Sequence, residues 1–195
     1  MDTDKVIVIA LCGEAGSGKS SVAKYLRERC TAQGKKFEMA SFAAPLKRMC
    51  MDIWGFSSDQ VFGDAVIKEM PDPRTGITPR WAMQQLGQAA RDRMGASVWL
   101  DIALAKLCVP GMIYIIEDLR YMNEAAALTN MESAETFVIR LSCSDTISID
   151  DGTHPSEAQV RLIPGEHLHA DIHSDRIRGL PHLFGEVDKA LRGVL

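Results

Sequence analysis

The chain has no C-x-x-C pair, no excess of basic charge and no apolar run that could cross a bilayer. Its longest apolar stretches, such as Val6 to Leu11 and Met112 to Ile116, fall far short of the roughly 20 residues that a span requires, so no membrane role is expected. The cysteines are Cys12, Cys30, Cys50, Cys108 and Cys143, odd in number and widely scattered. That pattern argues against a disulfide framework or a zinc site and for a reducing cytoplasm. Lysine and arginine total 22 against 26 acids, a net charge of −4, so non-specific attraction to nucleic acid is not favoured. Asp2 and Asp4 precede a strand-like run, unlike the cationic start of a signal peptide. Repeats and low-complexity tracts are also lacking.

What is present begins at residue 5, KVIVIALCGEAGSGKSS. Val6 to Leu11 is short, continuous and rich in β-branched residues, which predicts a strand buried on both faces. Gly13, Gly16, Gly18, Lys19 and Ser20 then fit G-x-x-x-x-G-K-[ST] without a mismatch. Glycines let main-chain N–H groups turn inward around phosphate oxygens where a Cβ would obstruct them. Lys19 supplies a mobile positive charge for the outer phosphates, and the Ser20 hydroxyl is placed to ligate Mg²⁺. The following helix aims its N-terminal partial charge at the same anion. The residues expected to bind a nucleoside triphosphate are Gly13, Ala15, Gly16, Ser17, Gly18, Lys19, Ser20 and Ser21. Cys12, beside this loop, reads as a small core residue.

With 195 residues the chain has room for one α/β domain. Further strands are expected at 36–40, 112–116, 136–141 and 170–173, and helices at 17–33, from Pro45 to Gly55, 80–94, from Ser97 to about Leu107, 123–130 and 181–194. Residues 59–70 read as a short helix or irregular, 144–153 as a loop and 155–162 as a short helix. Strands separated by helices predict a mainly parallel five-stranded sheet covered on both faces, with ligands beyond the C-terminal strand ends. Glu117 and Asp118 end one such strand, the usual context for the acid that holds Mg²⁺, and Arg120 follows within reach of a transferring phosphoryl group.

A kinase with a phosphorylated acceptor needs a second anion pocket, and Lys47, Arg48, Arg74, Arg80, Arg91 and Arg120 are the candidates. In the helix 80–94, Met83, Leu86, Ala90 and Met94 form the expected buried stripe, with Arg80, Gln84, Gly87 and Arg91 in a separate polar one. Gly87 costs about 1 kcal/mol in mid-helix, which predicts a close approach to its backbone. In the next helix, Trp99, Ile102, Ala103 and Leu107 should face inward. Phe42, Trp81 and Trp99 are candidates for stacking on a base. His167, His169 and His173 read as surface or strand-edge residues and not as a metal cluster. The D-x-x-G and N-K-x-D motifs of a GTPase switch are lacking.

GEAGSGKS, APLKRM at 44–49, ITPRWAMQQLGQAARD at 77–92, EDLRYMNEA at 117–125 and THPSE at 153–157 together resemble the motif series of phage-type deoxynucleoside monophosphate kinases, in order over nearly the whole chain. The resemblance implies a three-layer α/β P-loop NTPase fold of the nucleoside monophosphate kinase branch. It implies one kinase domain, 1–195, with core at 1–41, 97–141 and 166–195, a substrate-binding insertion at about 42–96 and a lid at about 142–165. The implied activity is MgATP-dependent phosphorylation of a dNMP to a dNDP. Lys47, Arg80, Arg91 and Arg120 would lie near substrate phosphate and Asp118 near magnesium, with Lys19, Arg120 and Asp118 as the catalytic set. Asn123 and Glu124 would support that loop or contact the nucleoside; Gln84 and Trp99 complete the expected substrate-binding residues. Where the family pattern has a basic residue at the lid root, this chain has Ser142-Cys143-Ser144-Asp145, leaving Arg140 and Arg161 as alternatives. His173-Ser174-Asp175 lacks the asparagine expected after the last strand. The expected partners are ATP and a dNMP, without nucleic acid or membrane, for a monomer or homodimer in the cytoplasm, that of a bacterial host if phage-encoded. Phosphomevalonate kinase and dephospho-coenzyme A kinase resemble the same design, and a nucleotide-dependent switch is the alternative of a different class.

Overall fold

Val6–Gly13 (β1) lies at the centre of a five-stranded sheet, where its apolar residues find cover on both faces. It pairs on one side with Ile113–Leu119 (β3) and on the other with Ala134–Cys143 (β4). Phe37–Ala40 (β2) lies outside β3 and Ala170–Ser174 (β5) outside β4, giving the order β2-β3-β1-β4-β5 with every pair parallel. The computed structural model describes residues 5–14, 16–143, 159–174 and 177–195. The expected loop at 144–153, the first half of the helix at 155–162, the THPSE segment and Ala15 therefore lie outside the described residues.

The chain divides into two compact units, Met1–Ser41 with Lys106–Leu195, and Phe42–Ala105. In the first, odd-numbered side chains of β1 and β4 (Ile9, Leu11, Ile139, Leu141) share a core with Lys19–Ala32 (α1) and the closing helix, Gly179–Ala190. Val22, Leu26 and Cys30, spaced four apart, are the buried stripe of α1, as the period requires. The even-numbered Val8, Ala10 and Val138 face the other way and are equally buried, and Thr136 on that face donates to the Leu128 carbonyl of Met122–Thr129 (2.9 Å). Helices thus cover both sides of the sheet. Among the described residues no helix is long and apolar enough to cross a membrane.

The second unit is helical: Ala44–Trp54 (α2), Ser58–Phe62 (α3), Ala65–Glu69 (α4), Pro79–Met94 (α5) and Val98–Leu104 (α6). Two tight caps divide 58–69 into separate helices. Ser57 and Gln60 form a reciprocal capping box, and the Asp64 carboxylate accepts from Ile67 N–H (2.9 Å). Asp72 is buried and accepts from Gln60 Nε2 (3.0 Å), Arg74 N–H (2.9 Å) and Arg74 Nε (3.0 Å). Arg74, expected among the phosphate-binding cations, also donates to the Gly55 carbonyl (2.7 Å) and so anchors its own loop.

Other expectations need correcting here. The buried residues of α5 are Pro79, Ala82 and Gly87, with Met83, Leu86 and Ala90 partly covered, while Met94 is 73% exposed because the last turn runs past its packing partners. Gly87 therefore belongs to the packed side and not to a separate polar stripe. Ile102 is exposed. Ser97 precedes α6, but its hydroxyl donates to the Asp101 carboxylate (2.8 Å) and accepts from no N–H of the helix as a cap would.

Candidate phosphate-loop site

Gly13 leaves β1 at φ +149 in register with Leu141 of β4. A Cβ there would stand 2.2 Å from the Leu141 carbonyl oxygen and 2.6 Å from Ser17 Oγ, so the turn admits only glycine. The loop closes with Ser17 N–H on the Glu14 carbonyl (3.2 Å), and Gly18, left-handed at φ +97, caps α1. Among the described residues no side chain caps that helix, and its first turn holds no acid, which leaves its positive end suited to an anion. Ser17 Oγ is buried without a hydrogen-bond partner among the described residues. A cradle closed to side chains, with main-chain donors and an unsatisfied hydroxyl, suits an anion of phosphate size.

Lys19 Nζ donates to the carbonyls of Gly13 and Glu14, both at 2.6 Å, so its ammonium lies over the loop. Ser20 is exposed in the first turn of α1, and Ser21 follows it. On the neighbouring strand the register slips between Ala10↔Ile116 and Cys12↔Leu119, so Glu117 and Asp118 together oppose Leu11. This bulge releases strict alternation at the position where the motif puts its acid. Asp118 Oδ2 accepts from Ser41 Oγ (2.7 Å), a residue just past β2. Ser20 and Asp118 offer a hydroxyl and a carboxylate, the hard oxygen donors that Mg²⁺ prefers, at the ends of two adjacent strands. The donor set fits that ion.

Beyond Asp118, the buried Glu124 of Met122–Thr129 (α7) accepts from the N–H groups of Arg120 (2.9 Å) and Tyr121 (3.0 Å) through Oε2. Its geometry is that of loop support, one of the two roles expected for it. Asn123 is exposed. Cys12 is fully buried, and burial pushes its thiol up to about 12, so it is a core residue.

Two of the cations expected at the acceptor have partners within the second unit. Arg80 pairs with Glu69 of α4. Lys47 Nζ sits 5.0 Å over the Phe62 ring. Arg91 folds back along α5, with one guanidinium nitrogen 3.6 Å from where a Gly87 Cβ would be. Gln84 is half-buried on the same helix. The close approach expected at Gly87 is made by protein: Leu46 Cδ2 would lie 3.1 Å from the Cβ, and Trp99 Nε1 donates to the Gly87 carbonyl (3.1 Å). Trp99 is 4% exposed, so its indole is a core group and not a free stacking surface; Phe42 is also buried, while Trp81 is exposed.

A cleft of about 470 Å³ opens beside the phosphate loop, between Gly13–Glu14, the ends of β4 and β5, and Val160–Arg161. The two alternatives for the missing lid arginine separate here. Arg140 pairs with Asp171 across β4 and β5 and donates to the Ile163 carbonyl (3.1 Å), which ties it into the sheet. Arg161 reaches Glu14 of the phosphate loop instead. The histidines are engaged singly: His167 with Thr129, His169 with the Ala190 carbonyl and His173 with Ser142. Among the described residues no three metal-ligating side chains gather. Sequence reasoning missed Ser41, Glu69 and the carboxylate of Glu14; the acid inside the glycine motif was the one visible signal.

No family model matches the chain. Among curated sequences it is 31% identical over 174 residues to a protein of Acanthamoeba polyphaga mimivirus provisionally named deoxynucleotide monophosphate kinase, covering 81% of this chain and 84% of that relative. Among solved structures, a cysteine-to-alanine mutant of the Mycobacterium tuberculosis APS kinase CysC superposes with a TM-score of 0.45 at 12% identity, covering 96% of this chain and 97% of the other. The same enzyme in complex with AMPPNP and APS gives 0.45 at 14% identity, covering 96% and 98%.

Proposed function

Because the chain belongs to the deoxynucleotide monophosphate kinase family, and is thus a phosphotransferase acting on a nucleotide, we propose that it transfers the γ-phosphoryl group of ATP to a deoxynucleoside monophosphate. The products are dNDP and ADP. The observation that carries this reading is the glycine-only phosphate cradle with Lys19 over it and Asp118 at the bulged end of the next strand.

In the reaction, an anionic oxygen of the acceptor's α-phosphate attacks the γ-phosphorus and the bond to the β-phosphate oxygen breaks. The nucleophile is already deprotonated, so no general base is assigned; catalysis consists of positioning two anions and offsetting their repulsion. The main chain of residues 13–20 and the Lys19 ammonium hold the triphosphate, with Ala15 assigned from the motif alone. Ser20 and Asp118 would hold Mg²⁺, which when bound neutralises phosphate charge. Ser41, bonded to Asp118, fixes the carboxylate's orientation. Arg120 is assigned to the transferring group, and Glu124, by gripping the amides of residues 120 and 121, sets where it points. Lys47, Arg80, Gln84 and Arg91 of the second unit are assigned to the acceptor, with 42–96 as the substrate-binding insertion and 142–165 as the lid. Trp99 acts as support beneath Gly87.

Lys19→Ala tests the reading. ADP release should depend on an added dNMP in the wild type and fall by more than tenfold in the variant; retention of more than about a tenth of the rate contradicts the assignment.

A further inference from the structure

The phosphate loop carries an acid immediately after its first glycine, and two cations converge on it. The Glu14 carbonyl accepts from Lys19 Nζ (2.6 Å), and the Glu14 carboxylate pairs with Arg161 through Nε. Sequence separation is large, so the pair joins the loop to the far wall of the adjacent cleft. The Arg161 side chain is 74% exposed and that of Glu14 is 33% exposed, so the contact lies at the mouth of the cleft. Exposed ion pairs are weak and exchangeable. Arg140, the other guanidinium on this cleft, is held by Asp171 and by the Ile163 carbonyl, and moving it would disturb the pairing of β4 with β5. Arg161 is thus the cation here that can change partners at little cost.

A polyphosphate seated in the loop would present several negative oxygens beside this pair. Such a ligand competes better for a guanidinium than one carboxylate does, since phosphate accepts bidentate charge-assisted hydrogen bonds and carries more charge. We propose that Glu14 is a positioning residue that competes with the nucleotide's phosphates for Arg161: it holds the guanidinium at the rim of the loop and yields it to the bound triphosphate. Binding then exchanges one anion for another at the same cation, and the freed carboxylate turns to solvent. The proposal rests on the reading of the loop as the ATP site. It gives a role to an acid that otherwise opposes the binding of a polyanion.

The test is calorimetric titration of the full chain with MgATP, without acceptor, for wild type, Glu14→Gln, Arg161→Ala and the double variant. Both side chains are at the surface, and thermal melts verify that the variants are folded. Glu14→Gln should bind about two- to fivefold tighter, the upper part of the range an exposed pair can contribute. Arg161→Ala should bind about three- to tenfold more weakly, and the double variant should match Arg161→Ala within about twofold. Equal tightening by Glu14→Gln in both backgrounds would reduce Glu14 to simple repulsion and overturn the proposal. Unchanged affinity in Glu14→Gln, with the wild type binding ATP, would overturn it alone. Failure of the wild type to bind MgATP would overturn both it and the reading beneath it.

Discussion

Gly13→Ala puts the phosphate loop to a quantitative test. The added Cβ would lie 2.2 Å from the Leu141 carbonyl oxygen, more than an ångström inside ordinary contact, and 2.6 Å from Ser17 Oγ. The first neighbour is main chain on the strand that pairs with Gly13 itself, so it cannot yield without opening the end of the β1–β4 ladder. The φ of +149 adds backbone strain that alanine bears poorly. Overpacking and strain each cost about 1–3 kcal/mol, so their sum should be about 4 kcal/mol. At roughly 2–4 °C per kcal/mol for a chain of this size, Tm should fall by about 8–16 °C. The control is Gly185→Ala in the closing helix, where a Cβ meets nothing within 4 Å. There the gain in helix propensity, about 1 kcal/mol, should raise Tm slightly. Melts followed by circular dichroism measure both, and MgATP titration should show binding lost in the first variant and unchanged in the second. A Gly13→Ala protein with the wild-type Tm and ATP affinity would refute the reasoning.

Arg80→Ala should raise the acceptor KM by about tenfold or more while leaving the ATP KM within about twofold, as loss of a charged hydrogen bond to one substrate would. Glu69→Gln, which releases Arg80 from its ion pair, should lower the acceptor KM; equal effects on both substrates would remove Arg80 from the acceptor site. Trp99→Phe deprives the Gly87 carbonyl of its indole donor and should cost about 1–3 kcal/mol of stability. Its acceptor KM should not move, and a raised KM with an unchanged melt would return Trp99 to a stacking role. Hydrogen bonds from Arg74 and Gln60 hold the Asp72 carboxyl well below the usual carboxylate range. A depressed folded-state pKa stabilises above the unfolded value and is lost as pH falls, so the urea midpoints of wild type and Asp72→Asn should converge below about pH 4. A gap independent of pH would rule out that linkage.

The phosphate loop was legible because main-chain geometry restricts residue types at fixed spacing, and Gly13 shows the restriction in atoms. The strands were legible as short apolar runs, and the parallel order follows from helices between them. The Gly87 signal was real but ambiguous: a mid-helix glycine announces a close approach without saying what approaches, and here it is Leu46 and Trp99. Periodicity carried the α5 stripe one turn too far, to Met94, because a repeat in sequence does not reveal where the partner helix ends. The bulge at Glu117–Asp118 and the pairs Glu14–Arg161 and Glu69–Arg80 depend on tertiary neighbours, and nothing local encodes them. Arg74 has one partner close in sequence, Asp72 two residues before it, and one only the fold supplies, the Gly55 carbonyl.

The most direct measurement is product analysis of the purified protein with MgATP and each common dNMP, NMP, phosphomevalonate and dephospho-coenzyme A in turn, separated by anion-exchange chromatography. The account predicts a dNDP formed mole for mole with ADP from at least one dNMP, and no phosphorylated phosphomevalonate or coenzyme A product. ADP with free phosphate and no phosphorylated nucleotide would contradict it.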